Sequence, residues 1–308
     1  MSHYIEKKHA IHTFSPDHRP VCRVKPGETV VFETYDCHMG QLLPEDATFD
    51  RIDQSLANPA TGPVYIEGAC PGDVLRITVR DIELDRVAIL DKGPSAGALK
   101  KHFPEYTIRR LPVKDGRIYY GDLEIPVRPM IGVIGTAPAD EAVSTLAPKD
   151  HGGNMDCTSI APGSVLYLPV NVPGALLAMG DLHAAIGDGE CGNCGVEIGG
   201  RVTVSVHIVK SCPITWPMVE NEESWIAIAF GATVDEACDK AVEQMFKFLT
   251  VQAGLSELDA GMFIDIFGGL VVCQIVNPYK TVRMEMPKWP LERRGFCGFG
   301  REEGGEPL

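Results

Sequence analysis

The sequence predicts a β-rich α+β protein, and three observations carry that prediction. Pro-Gly introduces an apolar run four times, at PGETVVFET, PGDVLRITVRDIEL, PGSVLYLPV and PGALLAMGD. One later run, RVTVSVHIVK (201–210), alternates between polar and apolar residues from Arg201 to Ile208. Helical periodicity with recognisable caps occurs only after about residue 230. The chain is therefore read as many short strands joined by turns up to that point, then as strand–helix–helix–strand.

Each element has a local reason. In the Pro-Gly turns, proline presets one turn position and glycine supplies positive φ at the next; the β-branched run that follows is a strand. The four copies have no fixed period, so they are not a repeat architecture. The segment 88–126, with KGPSAGALKKHFPEY inside it, lacks a clean period and reads as a long surface loop. In 201–210, Val202, Val204, Val206 and Ile208 share one face, while His207 lies on the polar one. Thr233 and Glu236 form a capping box, and Ala237, Ala241, Met245, Phe248 and Leu249 follow at helical spacing up to Gly254. Ser256 and Asp259 open a second, shorter helix, after which GGLVVCQIVNP (268–278) returns as a strand. The expected organisation is a β-rich part over 1–210, a strand–helix–helix–strand part over 211–289 and an extended tail over 290–308.

Composition narrows the function classes. The 308 residues are 44% hydrophobic, enough for a sizeable core. No apolar run reaches eighteen residues, so no transmembrane helix is expected, and MSHYIEKKHAIHTFSPDH lacks the apolar stretch of a secretory signal. A net charge of −14 without a basic block argues against nucleic acid and membrane as partners. Ten cysteines without a signal read as free thiols in a cytoplasmic protein. The phosphate loop, the dinucleotide fingerprint and the serine-hydrolase elbow are all missing, which favours metal-assisted or thiol chemistry if the chain is an enzyme.

Polar clusters sit at the ends of expected strands. In Gly180-Asp181-Leu182-His183, Asp181 and His183 are two apart on a strand and so share a face, where a carboxylate and an imidazole can converge on one divalent cation. Asp36-Cys37-His38 repeats the Asp-x-His spacing, and His151-Gly152-Gly153-Asn154-Met155-Asp156 forms a third cluster. Gly187-Asp188-Gly189-Glu190 reads as a turn; alternatively, it presents an uncrowded carboxylate able to act as general base. Cys191 and Cys194 have no second C-x-x-C to complete a zinc site. Among the other cysteines, Cys37, Cys157 and Cys273 lie near polar clusters, and Cys157, next to Asp156, is the best nucleophile candidate.

The stretches ETYDCHMGQL, HGGNMDCTSIAPGS, GDLHAAIGDGECGNCGVEI and IVNPYKTVRMEMPK, in this order and spacing, resemble the acetamidase/formamidase family from about residue 5 to residue 289. The resemblance implies a β-sandwich-like N-terminal and central part with a smaller α/β C-terminal part, usually in a homo-oligomer such as a dimer or tetramer. It implies hydrolysis of a small amide, of the formamide or acetamide type, to ammonia and a carboxylate. A divalent metal is implied too, with zinc first and Ca, Mg or Mn as alternatives. The site carried over by position is Asp36, His151, Asp156, Asp181 and His183 as metal ligands, with Asn154, Asp188 and Glu190 in catalytic roles; Glu190 or Asp188 would be the base. Gly269 in FGGLVVCQ stands where the resemblance leads one to expect an acid. Two other readings stay open: an amidase with Cys157 as nucleophile, and a metal-stabilised binding protein without catalysis.

Overall fold

The structure, a computed structural model, describes residues 2–210 and 212–299. It is built on two large sheets. The first has nine strands in the order Ser2–Ile5, Thr29–Thr34, Gly200–Val209, Val74–Leu84, Val165–Pro169, Met218–Glu220, Ser224–Gly231, Lys280–Pro287 and Gly269–Gln274. The second runs from Leu123–Pro126 through Arg117–Tyr120, Thr107–Lys114, Val87–Lys92, Val196–Ile198, Leu177–Ala185 and Met130–Gly135 to Gly152–Asn154, and Ala60–Ile66 also pairs with Leu177–Ala185. One core lies between the sheets. Val30, Phe32, Ile77, Val202 and Val204 of the first meet Val64, Ile131, Met179, Leu182 and Ile198 of the second, all essentially without solvent contact. The protein is a mostly-β sandwich, as the sequence predicts.

The four Pro-Gly turns hold in detail. Gly27, Gly72, Gly163 and Gly174 have φ of 87°, 91°, 90° and 77°, and each precedes a strand of the sandwich. The strand Gly200–Val209 buries Val202, Val204, Val206 and Ile208.

The C-terminal strands continue the first sheet and give it a second apolar face. In Ser224–Gly231, Ile226 and Ile228 point to the core between the sheets, while Trp225, Ala227 and Ala229 point the other way. That outer face is covered by helices α1 (Val234–Lys247) and α2 (Glu257–Phe267), which bury Ala237, Ala241, Met245 and Ala260 on it. Both predicted caps are present: Thr233 Oγ1 accepts from the Glu236 amide and Ser256 Oγ from the Asp259 amide. Gly254 follows the last helical residues with φ 69°. No helix of the described residues is long and apolar enough to cross a membrane.

Two expectations need correction. The segment 88–126 is not one long loop. It contributes Val87–Lys92, Thr107–Lys114, Arg117–Tyr120 and Leu123–Pro126 to an antiparallel arm, and only the 93–106 stretch between the first two lacks strands. The arm buries Ile89, Leu111, Val113 and Ile118 on one side and exposes arginine, lysine and glutamate on the other, which blurs its alternation. Its hairpin signal was in the sequence: Asp115-Gly116, both at positive φ, joins two strands. The tail also differs. Lys288–Glu292 forms a short helix, α3, with Leu291 buried, and Phe296 and Phe299 fold back onto Trp225. The aromatic residues make this return favourable. Residues 300–308 of the expected tail lie outside the described residues.

Candidate active site

The polar clusters meet at one end of the second sheet. Leu177–Ala185 pairs with Met130–Gly135, which pairs with Gly152–Asn154, so Asp181, His183, Asn154 and Asp156 are drawn together across three strands. The turn that follows Thr29–Thr34 brings Cys37 from the opposite sheet, and the Gly187–Glu190 turn brings Glu190. Two groups of donor atoms result, each within 4.8 Å: Asp156, His183 and Glu190, and Cys37, Asp181 and Glu197. All six residues are buried. Leu182 points the other way into the core, so the strand places Asp181 and His183 on one face.

Two glycines make room for this convergence. A β-carbon on Gly132 would lie 2.6 Å from both Asp156 Oδ1 and Asp181 Oδ2, and one on Gly195 would lie 2.3 Å from the His183 ring. Asp156, Asp181 and Glu190 themselves adopt left-handed backbone, with φ of 47°, 56° and 38°. Such conformations are uncommon in residues with a β-carbon and collect at functional sites. Replacing Gly132 by alanine is expected to force the two carboxylates apart and lower turnover at least 100-fold, with little change in secondary structure; steady-state kinetics and circular dichroism check this.

The electrostatics are those of a buried cluster of carboxyl groups around one imidazole. His183 Nε2 pairs with Glu197 Oε1 at 2.8 Å, and its Nδ1 lies 3.2 Å from Met130 Sδ. Burial alone would depress the imidazole, but Glu197, Asp181 and Asp156 outweigh it and push it up to about 10. Burial raises the carboxyls of Asp156, Asp181 and Glu190; their mutual repulsion and that of Glu197 add to the rise at Asp181 and Glu190. Glu197 goes the opposite way, because His183 more than offsets its burial. Asp181 Oδ1, Glu190 Oε2 and Glu197 Oε2 are buried with no hydrogen-bond partner among the described residues.

Asn154 organises the carboxylates. With its amide nitrogen facing them, it donates to Asp156 (3.0 Å) and Asp181 (3.2 Å), while its oxygen accepts from Asn58 (2.9 Å) and Asn277 (3.1 Å). Asn277 Nδ2 also lies 2.6 Å from Asp156 Oδ2.

The structure places the remaining sequence candidates elsewhere. Asp36 Oδ1 accepts from the amides of His38 and Gly40 (2.9 Å each) and caps its own turn; its neighbour Cys37 is the residue that reaches the cluster. His38 turns to Asp91 at 3.2 Å. His151 lies edge-on to Phe14, with Nε2 buried and unpartnered among the described residues. Asp188 is half exposed and held by Arg283. Cys157 is fully buried against Cys273 and Arg283; its hydrogen bond with Cys273 lowers its pKa. Glu197, Cys37 as a donor, Asn277, Asn58 and Gly132 were missed. Glu197 and Asn277 lie inside the stretches quoted above, but no spacing rule marks them; Gly132 is silent until the strands are aligned.

His151 gives a pH signature. Burial, with Lys149 adding to it, lowers its pKa from 6.5 to about 3. It is therefore neutral in the folded protein over a range where the unfolded chain is protonated. The contribution is full above pH 6.5 and falls as the pH drops toward 3, by up to about 1.4 kcal/mol per unit. Between pH 6.5 and 4.5, wild type is expected to lose about 2–3 kcal/mol more than His151→Gln, read by urea unfolding at both pH values.

Comparison with known proteins identifies the family of the chain. The sequence model of the acetamidase/formamidase family matches residues 2–144 and 139–256. A formamidase of Methylophilus methylotrophus is 29% identical, with 63% of each chain covered; the chain spans about three fifths of the length of the first curated relatives it matches. The crystal structure of an acetamidase from Bacillus halodurans superposes with a TM-score of 0.92 at 40% identity, over 95% of this chain and 99% of that one. A recombinant predicted acetamidase/formamidase from Thermoanaerobacter tengcongensis gives 0.94 at 38% identity, over 97% and 99%. By sequence and by structure, the chain belongs to the acetamidase/formamidase family.

Proposed function

We propose that the protein hydrolyses a small linear amide, of the formamide or acetamide type, to ammonia and a carboxylate. The observation that carries this reading is the buried cluster with three orphaned carboxylate oxygens beside His183 and a carboxyl, Glu190, whose pKa is raised. Family membership supports it. Buried carboxylate oxygens without donors are costly unless a proton or a cation satisfies them, so the donor set fits a divalent metal. Ligands would come from Asp156 and His183 in one donor group or from Asp181, Glu197 and Cys37 in the other; imidazole or sulfur alongside carboxylates favours zinc. When bound, such an ion polarises a carbonyl and lowers the pKa of water.

The chain's own groups supply the rest. Glu190 is the general base: its raised pKa, set by burial and Asp156, suits it to take a proton from water and hand it to the leaving nitrogen. Asp188 is a poorer base, since Arg283 holds its carboxyl below the usual range. Asn154 fixes the orientation of Asp156 and Asp181. The bare α-carbons of Gly132 and Gly195 let the Asp156, Asp181 and His183 side chains pack where a β-carbon would collide with them.

The thiol reading keeps one observation of its own, the lowered pKa of Cys157. Ammonia release from formamide and acetamide separates the two. The metal reading requires Cys157→Ala to stay within a few-fold of wild type and His183→Ala to lose about 10³-fold; the reverse pattern would establish the thiol.

A further inference from the structure

We propose that Arg283 is a positioning residue for this site: through Asp188 it latches the Gly187–Glu190 turn onto the strand Lys280–Pro287 and so fixes Glu190. The inference rests on the reading of Glu190 as the base. Arg283 lies on the strand Lys280–Pro287, opposite Val271, and its side chain is only 7% exposed. Its guanidinium meets Asp188 in a two-pronged pair, Nη1 to Oδ1 at 2.6 Å and Nη2 to Oδ2 at 3.1 Å, while Nε donates to Glu285 at 2.6 Å. Such planar, bidentate pairs fix direction as well as distance. Thr158, two residues beyond Asp156, donates its hydroxyl to the same Asp188 oxygen at 2.9 Å. Asp188 therefore ties together the segment that carries Asp156 and the strand that carries Arg283.

The backbone repeats the connection. The Gly189 amide donates to the Cys273 carbonyl (3.0 Å) and the Ile275 amide donates to the Gly189 carbonyl (3.1 Å). Glu190 follows at once, with φ 38°, a conformation that persists only where its surroundings over-determine it. One residue, Gly189, separates the latch from Glu190. A base displaced by about 1 Å loses on the order of 10²-fold in rate. Asp188 thus contributes as the turn's anchor, and Arg283 as what the anchor grips.

The test compares wild type, Asp188→Asn, Arg283→Lys and the double variant. Asp188 is 44% exposed and asparagine is isosteric, so the fold survives; lysine keeps the charge of Arg283 but not its fork. Two readouts are taken: kcat and KM for formamide, and hydrogen exchange at the Gly189 and Ile275 amides. Each single variant is expected to lower kcat about 10–100-fold with KM within about three-fold, and to speed exchange at both amides at least ten-fold. The double variant should be little worse than either single one, as members of one linkage are not additive. Faster exchange with unchanged kcat would overturn the link to Glu190. Unchanged exchange would overturn the latch. If wild type releases no ammonia from any small amide, it is the amidase reading that fails, and the exchange arm alone then decides whether Arg283 holds the turn.

Discussion

Glu190→Gln is expected to lower turnover of formamide and acetamide about 10³-fold, with the melting temperature kept or slightly raised. Glutamine matches glutamate in shape but cannot accept and return a proton. It also removes one carboxyl from a set whose members repel one another, since Asp156, Glu197 and Asp181 all push the Glu190 carboxyl up. Loss of activity therefore comes without loss of stability, the pattern of a group held in place for chemistry at the expense of the fold. KM should move little, because a base acts on the barrier rather than on ground-state binding. A variant with near wild-type kcat would remove Glu190 from the reaction.

Asp181 should show the same tension with opposite signs in two states. Its Oδ1 is buried and unpartnered among the described residues, and burial followed by Glu197 raises its pKa well above the usual range. In metal-free protein Asp181→Asn removes one of the repelling carboxylates, so the melting temperature is expected to rise, on the order of 5 °C. In metal-loaded protein the same change would, under the proposed metal-assisted mechanism, delete a ligand. Affinity for the divalent ion should fall at least ten-fold, and the stabilisation that the ion confers should fall with it. Calorimetry of both proteins, chelated and reloaded, reads both effects. A change of the same sign in both states would mean that Asp181 is an ordinary buried carboxyl.

Local signals were legible where one segment carries them whole. The Pro-Gly turns, the alternation in 201–210 and the caps at Thr233 and Ser256 each rest on neighbours in sequence, and each is present in the structure. The 88–126 arm was missed because its outer face is charged and its strands pair only with one another and with the sheet edge. The site was legible in part for the same reason. Asp181 and His183 share a face because a strand has period two, a fact one segment determines. Which of Asp36, Cys37 and His38 enters the cluster depends on a turn whose amides take the Asp36 carboxylate for themselves. Glu197 joins only because its strand pairs with Leu177–Ala185 and places it beside His183. Gly132 matters through an absent side chain, which a sequence shows only as one more glycine among 32.

The orphaned oxygens of Asp181, Glu190 and Glu197 are the structural support for the proposed metal-assisted amidase. The most direct measurement is ammonia release from formamide and acetamide on one preparation, followed through chelation and stepwise reloading, with bound divalent metal assayed at each step. Activity is expected to rise in proportion to bound metal and to vanish when metal is gone. Full activity in protein stripped of metal would contradict the metal-assisted reading.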